Sequence, residues 1–245
     1  FPTRRSSDLT SIKGPDVVVT SAAGSVGLTL KPGQKIGQIF GWLILKDVNQ
    51  LDPNTGLPFI AKADQGNYEV GSNGYVINKT TFRPANSPGQ YSFGDPNPKF
   101  NMSFINNFSY KGFLSVSMQW DWVNGSHLYN QTKEWMYRDG IHRDYAEPIT
   151  VAGVTHAYTA FYRGIYQAGA NNGTKDYFYE DASFGRLRNL SVGVDFARIF
   201  KIKGFQRLQL VLSGRNLVTI TKYTGMDPEV SSGTVNSAWD RGVDH

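Results

Sequence analysis

Two runs of alternating apolar and polar residues stand out between Ser183 and Tyr223. In the first, Leu190, Val192, Val194 and Phe196 fall on one side, with Asn189, Ser191, Gly193 and Asp195 on the other. In the second, Leu208, Leu210 and Leu212 oppose Arg207, Gln209, Ser213 and Arg215, Val211 being the exception. A period of two means β-strand, because successive side chains point to opposite faces. Lys201-Ile202-Lys203-Gly204 joins the runs and carries glycine where a tight reversal needs freedom in φ. Both runs are about twice the usual strand of ~5–6 residues. A strand of ~9–11 residues with one apolar and one polar face suits a transmembrane β-barrel.

A second pair precedes them. Met102, Phe104, Phe108 and Tyr110 share one face and Ser103, Asn107 and Ser109 the other, with Asn106 and Ile105 out of pattern. After a Lys111-Gly112 turn, Leu114, Val116, Met118, Trp120 and Trp122 alternate with Ser115, Ser117, Gln119 and Asp121. At ~3.3 Å per residue, Phe113 and Trp122 stand ~30 Å apart along the strand. A tilt of ~40° brings this to ~23 Å, against an apolar band of ~25 Å in outer-membrane barrels. Aromatic residues at both ends match interfacial girdles. Strands are predicted over 99–110, 113–123, 183–199 and 205–221, alternate ones antiparallel.

The intervening chain is polar and rich in Gly, Asn and Pro. A strand and turn are expected near Val17–Val19 and Ser21–Gly27, and a strand over Gln34–Leu45. A long loop runs from Asp52-Pro53-Asn54-Thr55-Gly56, a turn signal, to Pro98, with a short hairpin around Tyr68–Ile77. A second runs from Asn124 to Tyr179, with a short helix over Gln131–Arg138. Another loop follows Tyr223. Short turns alternating with long loops is the asymmetry of outer-membrane barrels.

Composition sharpens this only in places. The 245 residues include no cysteine, so disulfides and thiolate metal sites are excluded. No run of ~18 apolar residues offers a transmembrane helix. Mean hydropathy is −0.38, which polar lumen residues of a barrel would also produce. The net charge of +5 is scattered, with no basic stripe interleaved with aromatics, so nucleic acid is not an expected partner. The opening FPTRRSSDL, residues 1–9, matches the translation of a common sequencing adapter and is set aside. The remainder, 10–245, is then a reading frame cut at its start.

Candidate chemistry is sparse. His127, His142, His156 and His245 lack metal-binding spacing and read as loop histidines. Glu134 with Asp139, or Asp144 with Glu147, would be carboxylate pairs of a glycosidase, but nothing separates them from ordinary loop acids. No nucleophile elbow, P-loop or dinucleotide fingerprint occurs. Neither catalysis nor a cofactor is expected. Asn-x-Ser/Thr triplets at Asn78, Asn107, Asn124, Asn172 and Asn189 reflect polar strand faces rather than glycosylation. Trp135, Tyr137, Tyr158, Phe161, Tyr162, Tyr166, Tyr177 and Tyr179 gather in the second loop. Such rings stack on sugars, bury against a partner, or pack the loop on itself. Arg186, Arg188, Arg207 and Arg215 either set lumen polarity or pair with Asp195 and other wall carboxylates.

The segments GDPNPKFNMSFINNFSYKGFLSVSMQW, YEDASFGRLRNLSVGVDF and LVLSGRNLVTITKYTGMDPEVSSG resemble the C-terminal barrel of the SusC/RagA family of TonB-linked outer-membrane proteins. The resemblance covers roughly Gly33 to Asp244. It implies part of an all-β, antiparallel transmembrane barrel of about 22 strands, with the plug domain and the final strand outside this stretch. It further implies import of oligosaccharides or peptides across the outer membrane of a Gram-negative bacterium. The implied partners are outer-membrane lipid, a SusD-like surface lipoprotein as lid, and TonB acting through the absent N-terminal region. Asp64 to Asn78 departs from the family's acidic, glycine-rich loop, so no metal site is carried over. Two alternatives stay open: a soluble all-β carbohydrate-binding domain whose apolar faces meet a second sheet, and a related receptor such as a siderophore importer. On the barrel reading these residues form an open, curved antiparallel sheet with unpaired edges, prone to aggregate in isolation.

Overall fold

A computed structural model describes residues 17–20, 27–30, 32, 38–94, 96–168, 174–201, 203–229 and 243–244. The N-terminal nonapeptide, Asn172 and His245 lie outside them, as do most of Ser21–Gly27 and the start of Gln34–Leu45. The chain divides into two compact units.

The unit of Asn97–Ser126 and Asp181–Tyr223 is the open sheet that the alternation predicts. Its strands are β1 (Phe100–Tyr110), β2 (Leu114–Asn124), β3 (Phe184–Asp195) and β4 (Gln209–Thr221). They pair antiparallel in the order β4-β3-β2-β1. The register carries the period of two across all four. Phe108, Val116, Val192 and Leu212 lie on one rung, and Asn107, Ser117, Ser191 and Ser213 on the next. Because the alternation agrees from strand to strand, one face is mainly apolar and the other mainly polar, with Asn106, Ile105 and Val211 out of pattern. At Arg188 the register shifts, which puts Leu187 opposite Trp120 on the same face as Leu190 opposite Met118. The stripe therefore continues past a position where simple alternation in β3 fails.

The two turns differ from each other. Lys111 and Gly112 have φ of 45° and 70°, a tight reversal as expected. The β3–β4 connection is longer than the predicted four-residue turn. β3 ends at Asp195, and Phe196–Phe200 forms a short helix. The Asp195 carboxylate accepts from Ala197 N at 3.1 Å and Leu208 N at 3.2 Å, and Phe196 N donates to Leu208 O at 2.7 Å. An acceptor placed at a strand end thus caps a helix and closes a loop. Phe196 consequently leaves the stripe and stacks on Phe200, ring centroids 6.2 Å apart. Leu208 stands just before β4.

The other unit comprises Phe1–Pro96, His127–Glu180 and Thr224–His245. Here the expectation of two long loops is corrected: these segments build a packed body. Val17–Thr20 pairs with Gly27–Leu30, and the anticipated hairpin appears as Tyr68–Val70 with Val76–Asn78. Among the described residues of Gln34–Leu45, Phe40–Gly41 is strand, paired with Tyr91–Ser92. A further hairpin, Ile149–Val151 with Val154–His156, was not legible. The expected helix is α1 (Gln131–Asp139); α2 (Thr159–Tyr166) was not foreseen. α1 starts where the Asn130 side chain accepts from Lys133 N and stops at Gly140, whose φ of 70° lets its N–H reach back to the last turn. Its inward face is Gln131, Glu134 and Tyr137. Tyr137 of that face and Phe161, Tyr162 and Ile165 of α2 join Ile39, Ile77, Tyr129, Ile149, Val151 and Phe178 in one core. Leu45, Ile60, Val76 and Ala85 form a smaller one.

Candidate functional site

The sheet presents two chemically distinct surfaces. On the apolar one, Phe104 (52%), Phe108 (53%), Trp122 (51%), Leu210 (54%) and Leu212 (69%) stand open. Leu114, Val116, Met118, Trp120, Leu190, Val192 and Val194 are half-buried among their strand neighbours. None of them belongs to either hydrophobic core. Each exposed side chain of this size would gain ~1.5–3 kcal/mol on leaving water, so the face calls for an apolar environment.

The opposite surface is a hydrogen-bonded net. Asp121 accepts from Ser103 Oγ at 2.8 Å, Gln119 Nε2 at 3.0 Å and Arg188 Nε at 2.6 Å. Arg186 Nε donates to Thr219 Oγ1 at 3.0 Å, Asn189 to Gln119 at 3.3 Å, and Ser191 shares a proton with Ser213 at 3.0 Å. Of the four arginines singled out in the sequence, Arg188 thus pairs with a carboxylate of the sheet, Asp121. Asp195 instead meets Arg198, at 3.5 Å, on its own loop. Cross-strand polar pairs of this kind suit a wet wall, where charges are paired but not sealed from water.

In the loop-built unit the aromatic residues pack largely on one another. Tyr137 is fully buried and Tyr162 nearly so. The Tyr137 hydroxyl donates to Asp144 Oδ2 at 2.5 Å and lies 2.9 Å from that of Tyr177. Burial pushes the Tyr137 and Tyr177 hydroxyls well above their ordinary range, and Tyr162 up to about 12. All three remain neutral donors at ordinary pH. Trp135, Tyr158, Tyr166, Tyr177 and Tyr179 are half-buried. Phe82 stacks on Tyr158, and His127 on Tyr179.

The carboxylates considered as catalytic pairs have other company. Asp139 is exposed and paired with Arg138, and Asp144 contacts Tyr137 and His142. Burial lowers the His142 imidazole, against the pull of Asp144. Glu134 is buried against Lys175, 3.1 Å away, and also accepts from Gln131 at 2.5 Å. Lys175 is wholly enclosed, its ammonium over the Tyr166 ring at 4.8 Å. Burial lowers its ammonium and Glu134 partly restores it. This ion pair gave no sequence signal, since Lys175 lies in a polar stretch 41 residues from Glu134.

Asp176, next along, accepts from Ile44 N at 2.8 Å, and burial raises its carboxyl to about 6. A carboxyl raised on folding binds its proton more tightly in the native state. Its ionisation therefore removes stability as pH rises from ~4 to ~6, by roughly 3 kcal/mol in total. Asp176→Asn should flatten that slope and raise protection of segment 174–180 at pH 7. Hydrogen exchange of the full-length protein at pH 4.5 and 7, corrected for intrinsic rates, reads this. An unchanged slope would contradict it.

No protein-family model matches the sequence. The chain is 33% identical over 139 residues to TonB-dependent receptor P3 of Formosa agariphila, covering 56% of this chain and 13% of that protein. It is 31% identical over 78 residues to TonB-dependent receptor SusC of Bacteroides thetaiotaomicron, covering 31% of this chain and 8% of that protein. Among solved structures, the RagAB peptide transporter aligns with a TM-score of 0.48 at 16% identity, over 88% of this chain and 22% of that one. Its open-open state aligns at 0.44 and 17%, over 93% and 26%. Over more than half of its own length, then, this chain is similar to TonB-dependent receptors, and it spans a small part of theirs.

Proposed function

We propose that the chain is barrel wall and external loop of an outer-membrane importer that takes up oligosaccharides, or peptides, with energy from TonB and a SusD-like lipoprotein as lid. The observation that carries this is the uncovered apolar face running in register across four long strands, backed by a hydrogen-bonded polar face. Strands of 11 to 13 residues are long enough to cross when tilted. On this reading Leu114, Val116, Met118, Trp120, Trp122, Leu190, Val192, Val194, Leu210 and Leu212 meet acyl chains. Phe196 and Leu208, drawn into the β3–β4 connection, lie at the stripe's end. Asp121, Arg188 and their neighbours line the lumen. The chain does no catalysis; it shapes a passage.

On this reading the loop-built unit is external loop, and its half-buried residues Trp135, Tyr158, Tyr166, Tyr177 and Tyr179 are the candidate contacts for substrate or lid. Tyr137 and Tyr162 serve as the packing beneath them. The similarity to SusC supports the lipoprotein-lidded arrangement over a siderophore importer. Two measurements test the proposal on the full-length gene product. It should fractionate with outer membrane and require detergent, which a soluble carbohydrate-binding domain would not. A deletion strain should lose growth on a defined glycan or peptide source while growing normally under iron limitation. Loss under iron limitation alone would favour the siderophore reading.

A further inference from the structure

The two turns of the sheet meet at one end. Asp195 N donates to Phe113 O at 2.8 Å, and the Arg198 guanidinium lies over Gly112, in the space a Cβ there would need. This end concentrates positive charge. Lys111, Arg198, Lys201, Lys203 and Arg207 are exposed there, against one acidic residue, Asp195, which is buried and already occupied by Arg198. Large apolar side chains stand among them: Ile199 (41%), Phe200 (67%) and Phe205 (59%). The Lys111 ammonium sits 5.2 Å over the ring of Tyr110, the last residue of β1, which shares the apolar stripe with Leu114. Apolar side chains beneath a collar of cations match the boundary between acyl chains and negatively charged headgroups.

We infer that this turn-end collar binds the phosphate-bearing headgroups of anionic phospholipids in the leaflet it meets, Lys111, Lys201 and Lys203 supplying the charge. The inference rests on the membrane reading above and adds a lipid preference to it. Phe200 and Phe205 dip below the headgroups, and the lysines contact phosphate oxygens as point charges. A neutral zwitterionic lipid leaves that charge unanswered. Each cation near an anionic surface strengthens attachment roughly fivefold at low salt. Removing three should weaken it on the order of a hundredfold.

The test uses the full-length protein in nanodiscs of phosphatidylcholine alone or with phosphatidylglycerol, followed by native mass spectrometry of retained lipid. Wild type should retain phosphatidylglycerol in preference to phosphatidylcholine, the preference fading with salt. Lys111→Gln/Lys201→Gln/Lys203→Gln should erase that preference. Lys99→Gln/Lys222→Gln, beyond the other ends of β1 and β4, should leave it intact. Equal retention by the triple variant and wild type, or equal loss in both variants, overturns the assignment. Protein that enters nanodiscs without any anionic preference sinks this inference alone. Protein that never enters them and stays soluble sinks the membrane reading, and this inference with it.

Discussion

Met118→Arg in the full-length protein should cut the amount assembled in the outer membrane at least tenfold, while Ser117→Arg, one residue earlier, should change it little. Met118 lies midway along β2, opposite Leu190 of β3. On the proposed reading that places it near the bilayer midplane, where an arginine on the lipid face costs about 2–4 kcal/mol. Ser117 lies on the polar rung with Asn107, Ser191 and Ser213, where an added guanidinium meets water and hydroxyls. The pair differ by one step along the chain and by nearly the whole width of a sheet in environment. Heat-modifiable mobility of membrane fractions on a denaturing gel measures the folded amount. A soluble sandwich predicts something else: Met118→Arg would leave misfolded protein in the cytosol or periplasm, with wild type never found in membranes. Equal effects of the two substitutions would mean that both faces are buried, and the wall reading would fall.

How much of this could be read from residues alone depended on which force set each element. The sheet was legible because burial and pleat impose the same period. Four strands, their partners and their two faces followed from alternation, and Asn106 and Ile105 could depart from it without moving the register. Elements set by a single hydrogen bond were less visible. Asp195 looked like one more polar-face residue, yet its carboxylate ends β3, caps a helix and holds Leu208. Phe196, fourth in a clean alternation, was lost from the stripe for that reason. The loops misled in a different way. Their Gly, Asn and Pro content hid a core made mainly of tyrosine and phenylalanine, side chains that also suit a ligand site. Composition does not separate those two uses; burial does, dividing Tyr137 from Tyr158. α1 was foreseen and α2 was not, although α2 buries Phe161, Tyr162 and Ile165 as an ordinary apolar face. Its length of two turns leaves little periodicity to detect.

The largest effect in the loop-built unit should come from its buried ion pair. Lys175→Met leaves Glu134 enclosed without its cation, and Glu134→Met leaves Lys175 enclosed without its anion. Either should destabilise that unit by about 3–5 kcal/mol, because an uncompensated charge stays out of water. The double variant, with two apolar chains of similar volume, should recover most of the loss. The Glu134→Met variant should also respond to pH. With Glu134 gone, the burial that already lowers the Lys175 ammonium loses its main counterweight, so the lysine sheds its proton more easily. A group with a depressed cationic pKa gains stability as pH rises, so Glu134→Met should firm up toward alkaline pH. Hydrogen exchange across segment 127–180 of the full-length protein, taken at pH 5, 7 and 9, resolves both the size and the sign. Such a pair fixes orientation more than it adds stability. It joins α1 to the segment carrying Tyr177 and Tyr179. If the singles cost no more than the double, the pair is not sealed from solvent, and α1 is held to that segment by packing alone.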